Sequence, residues 1–404
     1  MTPRERVRAA LRHEEPDRVP VDFVATPEVW EKLMRELSPE PLSSGLSEYL
    51  EPGREAVLRA LQVDVRVLSY DMFCAPPESI VHAGARVDWW SSLDRSTPNR
   101  MWRQREADGT SRDIWGAHRR RVEHEFGAYE EFASYPLQQA ESVCDLGSHP
   151  WPEPEWWDFT PLPEIVHRLD EREQCSIRFR IGSVFETAWQ LRGMQEFLMD
   201  MLVAPEIPRE IMRRIGEVHL ENLRRVLTAL GDRLDMVYFY DDVATQSSLM
   251  VSPETWRTLI RPHHAALVDL AHAHGVPVMY HCDGAVRRLI PELIELGVDV
   301  LNPVQPDAKG MEGRELKHEF GDRLVFHGGI DITRLLPYGT PQEIAAAVRD
   351  AVDVLGKDGG YILCSAHHIQ PDTPVDNVLA MYDTRLRTHA AGRADSGESA
   401  SVRA

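Results

Sequence analysis

A chain of 404 residues that is 43% hydrophobic can bury one large core or two to three smaller ones, and 45 Lys and Arg against 65 Asp and Glu leave a net charge of -20. That surplus of negative charge repels phosphate backbones and anionic lipid, so nucleic acid and membrane surfaces are excluded as natural partners. The opening MTPRERVRAALRHEEPDRVP has no apolar signal-like run, no later stretch reaches the roughly 18 uncharged apolar residues of a membrane span, and the five cysteines never form Cys-x-x-Cys; a reduced, cytoplasmic chain is expected.

Thr2-Pro3-Arg4-Glu5 is a capping-box start for a first helix. Eight short runs rich in branched and aromatic residues then recur: 18–23, 65–71, 177–183, 236–242, 277–283, 298–303, 324–329 and 361–367. Most lack the period-2 polarity of a half-exposed strand, as strands covered on both faces should. Helical patterns separate them. Ser252-Pro253 opens one helix that runs through Pro262 to a stop at Gly275, and Thr340-Pro341-Gln342-Glu343 repeats the capping box before IAAAVRDAVDVLG. This alternation predicts an α/β fold, a (β/α)8 TIM barrel forming one domain over 1–388.

Between the second and third strands an insertion, 84–160, holds seven of the ten tryptophans. It reads either as a packed subdomain whose indoles are its own core or as a lid over the barrel mouth. The small polar end, 389–404, reads as a disordered tail.

The chemistry concentrates in MYHCDG, residues 279–284. Side chains alternate along a strand, so His281 and Asp283 share a side and Cys282 takes the other. A third ligand must come from another strand end, and CSAHHIQPDTP offers His367 and His368 just past the eighth strand. A His/Asp/His set suits Zn²⁺ or Fe²⁺ with open positions; the alternative is that these polar residues fix loops by hydrogen bonds. Asp241 and Asp242 end the fourth strand and Glu186 follows the third, giving candidate catalytic acids or, equally, caps. Gln246, Asn302, Gln305 and His327 complete a ring of candidate substrate-binding groups at C-terminal strand ends, the face on which barrel active sites lie. No P-loop, Rossmann glycine turn or G-x-S-x-G occurs, so nucleotide-phosphate and serine-hydrolase chemistry have no support.

In order and spacing, TPRERVRAALRHEEPDRVPVDF, DDVATQSSLMVSPETWRTLIRP, HCDGAVRRLIPELIELGVDVLNPVQP, LVFHGGID and HHIQPDTPVDNVLAMYD resemble the uroporphyrinogen decarboxylase superfamily over nearly the whole chain. The resemblance implies a (β/α)8 barrel and one of two activities. True decarboxylases hold their acidic tetrapyrrole with an arginine-rich R-Q-A-G-R-Y segment, where this chain has VDFVATPEVWEKL without an arginine. The other branch transfers methyl groups between a corrinoid protein and a thiol acceptor, using zinc held by His-x-Cys and a distant cysteine.

By that resemblance His281 matches the histidine, while Asp283 and His367 stand where the two cysteines would be. Replacing thiolates by Asp and His leaves a more Lewis-acidic ion, better matched to oxygen than to sulfur. With no Asp-x-His-x-x-Gly signature in the chain, any corrinoid is expected on a partner protein. The reading is a metal-dependent methyltransferase-like enzyme acting on a small, nearly neutral methylated compound. The alternatives are a decarboxylase, of uroporphyrinogen or of a small acid, and a non-catalytic ligand-binding barrel.

Overall fold

The computed structural model describes residues 1–38, 52–90, 101–124, 127–383, 386 and 388, so the expected tail, 389–404, lies outside the described residues. Seven parallel strands form one sheet: β1 (Val65–Ser69), β7 (Ser176–Gly182), β8 (Met236–Tyr240), β9 (Val278–His281), β10 (Val300–Val304), β11 (Val325–Ile330) and β12 (Tyr361–Ser365), hydrogen-bonded in that order. The eighth stave, expected as a strand over 18–23, is shorter than its sequence pattern suggests. Leu363 N–H donates to Pro20 O and Asp22 N–H to Leu363 O, while Asp64 N–H donates to Val21 O, so three residues bridge β12 to the start of β1. Pro20 brings no N–H to a ladder, which is one reason the pairing stays short. The expected barrel is borne out with this one irregular stave.

Alternation along the strands sorts the core into two shells. Val65, Val67, Met236, Met279, Val300, Val325 and Ile362 pack together inside the barrel, plugged by Val7 of the helix Pro3–Leu11. Their sequence neighbours, such as Leu68, Val237, Tyr280, Leu301, Phe326 and Leu363, face the surrounding helices in the main core. On β7 the inward positions are Arg178 and Arg180, between the outward Ile177, Phe179 and Ile181. One strand therefore brings two guanidiniums into the barrel.

The helix expected from Ser252 is present in two pieces, Pro253–Thr255 and Arg261–Ala273, joined by a wide turn over Trp256–Ile260. Pro262 lacks an N–H and its ring crowds the carbonyl four residues back, a local cause for the widening. Gly275 ends the helix at φ +69°, as expected. Among the described residues, no helix is long and apolar enough to cross a membrane.

Between β1 and β7 the insertion builds its own antiparallel sheet: β2 (Arg86–Trp90), β3 (Met101–Arg105), β4 (Ser111–Arg112), β5 (His118–His124) and β6 (Gly127–Ser134). Trp102, Trp115, Trp156 and Trp157 are buried, so these indoles do serve as core. Trp102 and Trp115 also line a cavity beneath this sheet.

Candidate metal centre at the barrel mouth

His281 ends β9 and Asp283 follows two residues later, both on the inward side. Cys282 is fully buried among the outward-facing core residues, where burial pushes its thiol well up. Gly284 makes the tight exit possible: its φ is +85°, and a Cβ there would fall 2.4 Å from the Thr245 carbonyl oxygen. Two residues beyond β12, His367 completes the group. Its Nε2 stands 3.5 Å from Asp283 Oδ2, and His281 Nε2 stands 3.7 Å from Asp283 Oδ1. One ligand atom from each of the three lies within 4.8 Å of the others.

Two observations bear on whether this trio fits a metal. Asp283 Oδ1 is buried without a hydrogen-bond partner, an oxygen that a cation would satisfy. The second is the tautomer of His281. Asn302 Oδ1 lies 2.5 Å from His281 Nδ1, and the Asn302 amide N–H donates to His327 Nδ1 at 2.5 Å. An amide oxygen only accepts, so His281 must carry its proton on Nδ1 and present a lone pair from Nε2.

The same logic continues inward. His327 accepts at Nδ1 and therefore donates from Nε2 to Asp22 Oδ2 at 3.0 Å, where Arg178 also pairs at 2.7 Å. Burial alone would raise the Asp22 carboxyl, but Arg178 and His327 hold it well below the usual range. Burial likewise keeps the His327 imidazole low, against the pull of Asp22. A buried chain from Arg178 to Asn302 thus orients one imidazole at the mouth. The residues present fit a divalent cation with nitrogen and oxygen donors.

Three carboxylates crowd the same end, each used differently. Asp242 Oδ1 accepts the Asp283 N–H at 2.6 Å and lies 3.8 Å from His281 Nε2. Burial pushes it up to about 6, with His281 pulling down and Asp283 pushing further up. Glu186, near the start of the helix Phe185–Arg192, accepts the Asp242 N–H at 2.9 Å; burial, then Asp242 and Asp241, push its carboxyl well above the usual range.

Asp241 is not brought to the cavity. It is fully buried, accepts the backbone N–H groups of Val184 and Glu186, and meets His264 Nε2 at 2.6 Å. It positions Glu186 rather than facing a ligand, because alternation past the end of β8 turns it away from the inward Tyr238, Tyr240 and Asp242.

A cavity of about 380 Å³ opens onto two of the trio, lined by His281, His367, Asp242, Glu186, Tyr238 and Tyr240 among others. None of the four expected substrate-binding residues lines it. Asn302 and His327 are the buried relay, and Gln305 accepts the Gly284 N–H at 2.8 Å and donates to Gln246 Oε1 at 3.1 Å, bracing the loop after Asp283. Sequence reasoning missed Tyr238 and Tyr240, although i, i+2 spacing before Asp242 on an inward register was a readable signal.

A family model described as uroporphyrinogen decarboxylase matches residues 155–387, more than half of the chain. The uroporphyrinogen decarboxylase of Thioalkalivibrio sulfidiphilus is 24% identical over 268 residues, 64% of this chain and 71% of that protein. The methylated-thiol–coenzyme M methyltransferase of Methanosarcina mazei is 26% identical over 148 residues, 36% of each protein. Among solved structures, a methyltransferase from Methanosarcina mazei superposes with a TM-score of 0.62 over 98% of this chain and 99% of its own, at 18% identity, a likeness of fold.

Proposed function

The chain belongs to the uroporphyrinogen decarboxylase family, and from that premise we propose a metal-dependent methyltransferase that takes a methyl group from a small methylated compound and passes it to a corrinoid carried by a partner protein. The observation that carries this reading is the His281, Asp283 and His367 trio with the His281 tautomer set by Asn302, a built donor set rather than a chance meeting of polar side chains. Zn²⁺ or Fe²⁺ held by these three would supply Lewis acidity to the heteroatom that bears the methyl group.

The chain's own residues supply the rest. Losing a methyl cation leaves the substrate's heteroatom with an electron pair that needs a proton at neutral pH. Glu186, kept protonated by burial and by neighbouring carboxylates, lines the cavity and is the proposed donor, with Asp242 beside it. Asp241 is a positioning residue that holds the Glu186 backbone. Tyr238 and Tyr240 give the substrate an apolar wall that excludes water.

Metal analysis and a methyl-transfer assay test this together. Protein purified without chelator is expected to carry about one zinc or iron per chain, lost in His281→Ala and kept in Cys282→Ser. With free cob(I)alamin and a panel of small methyl ethers and methylamines, the wild type is expected to form methylcobalamin, seen by its absorbance, and His281→Ala is not. Release of carbon dioxide from uroporphyrinogen by metal-free protein would overturn the reading in favour of a decarboxylase.

A further inference from the structure

A second cavity of about 380 Å³ lies between the inserted sheet and the barrel. It meets the first at Tyr129, Glu186 and Tyr240, which line both. Its size is that of a small-ligand site. Three guanidiniums line it: Arg103 from β3, Arg119 from β5 and Arg180 from β7. Tyr70, Trp115 and Tyr240 supply aromatic walls.

The three arginines are not equivalent. Arg180 donates to Ser69 Oγ at 3.0 Å and to Asp71 Oδ2 at 2.8 Å. Arg119 donates to Asp113 Oδ2 and, at 2.8 Å, to Gln190 Oε1. Arg103 is only 6% exposed, yet its Nε and Nη1 have no hydrogen-bond partner. Its nearest carboxylate oxygens, on Asp113 and Glu130, stand 3.4 and 3.7 Å away, beyond the 2.7–2.9 Å of a charge-assisted hydrogen bond. Asp113 is already engaged, accepting from Arg119 and from the Trp115 and Ala117 N–H groups. A guanidinium that lines the cavity with Nε and Nη1 unsatisfied, and only long ion pairs to Asp113 and Glu130, is prepared for an anion that is not part of the chain.

We propose that Arg103, flanked by Arg119, binds the carboxylate of the substrate, so that the enzyme acts on a small organic anion with an apolar, preferably planar, body. The carboxylate lies under the inserted sheet and the reacting end lies by His281, Asp283 and His367; only the identity of that reacting end rests on the methyl-transfer reading. This replaces the sequence-based expectation of a nearly neutral substrate, which came from the missing arginine in VDFVATPEVWEKL. Arg103 and Arg119 come instead from the insertion, outside the 155–387 segment that matches the family.

Benzoate and benzamide, alike in shape and different in charge, are the probes, titrated calorimetrically into wild-type protein before and after chelator has removed any metal. Benzoate is expected to bind about tenfold or more tightly than benzamide in both states, a preference lost in Arg103→Met and partly kept in Arg103→Lys. Equal binding of the two, no binding of benzoate, or a preference that disappears with the metal overturns the proposal, the last because the carboxylate would then have been on the ion. The chelated wild-type comparison needs no variant, so a misfolded Arg103→Met cannot hide the answer. A protein that binds no metal yet prefers benzoate would sink the methyl-transfer reading and leave the anion subsite standing.

Discussion

The two ends of the barrel treat buried acids in opposite ways. Where the strands begin, carboxylates are answered by arginines. Asp64 meets Arg6 and Arg18, each at 2.7 Å, and Asp235 meets Arg4 and Arg8 at 2.9 and 2.7 Å. Each also accepts a backbone N–H from a neighbouring stave, Asp64 from Val21 and Asp235 from Ile177. Where the strands end, Glu186, Asp241, Asp242 and Asp283 gather, and their ion partners among the described residues are the histidines His264, His281 and His367. The base carries charge that is already neutralised and stitches the closure. The mouth keeps negative charge only partly answered, an electrostatic setting that favours a cation and holds a carboxyl in its protonated form.

The difference is sharpest if one acid is removed from each end. Asp64→Ala leaves Arg6, Arg18 and the Val21 N–H without their shared acceptor, so a loss on the order of 3–5 kcal/mol of unfolding free energy is expected from urea titration. Asp283→Asn, measured in chelated protein, relieves like charge and is expected to change stability by less than ~1 kcal/mol. A marginal effect of Asp64→Ala would mean that the base is not the clasp its geometry suggests.

Much of the barrel and part of the mouth were legible in sequence, while the arginine clasp at the base was not read there. Parallel strands covered on both faces announce themselves as short branched runs, and the pairing of His281 with Asp283 needs only the two-residue period of a strand. His367 needed more, because only the fold brings the end of β12 to the end of β9. Asn302 reads in LNPVQP as another polar group at a strand end; that its amide fixes an imidazole emerges only from the register of β9 beside β10, which puts Asn302 opposite His281. Arg103 and Arg119 were not readable at all. Nothing in MWRQR or HRRRVEH distinguishes Arg103 or Arg119 from the other arginines beside them, because which of these side chains is buried depends on how the inserted sheet packs.

The asymmetry of the mouth also depends on the relay behind it. Asn302→Ala removes the acceptor that keeps the His281 proton on Nδ1 and the donor to His327, while leaving all three candidate ligands in place. Metal affinity, measured by competition with a chelator of known strength, is expected to fall about 10–100-fold. Unchanged affinity would mean that the trio is oriented by its own packing and that the chain from Arg178 serves only the barrel interior.

The smallest expected effect separates the two ends by pH. His149, His219 and His263, near the insertion and the long helix Glu206–Leu230, are each lowered to about 4, in every case chiefly by burial. His219 shows why: it is fully buried, donates from Nε2 to Ser183 O at 3.0 Å, and packs edge-on against Tyr70 and Trp115. Its folded pKa lies below its unfolded value near 6.5, so the unfolded chain takes up the proton first as the pH falls. Stability from this histidine is therefore complete above about 6.5 and is lost progressively towards 4. The base responds later. Burial pushes the Asp17 carboxyl up, but hydrogen bonds and charge from Arg6 and the N-terminal amine bring it down to about 2, so it contributes stability that is lost only as the pH falls below about 4. Urea midpoints at pH 7 and 5.5 are thus expected to differ in the wild type, and His219→Gln, which can still donate to Ser183 O, should recover about 1 kcal/mol of the loss at pH 5.5. If His219→Gln leaves that slope unchanged, the early acid sensitivity does not come from His219 and must be sought at His149 and His263, which burial lowers to the same range.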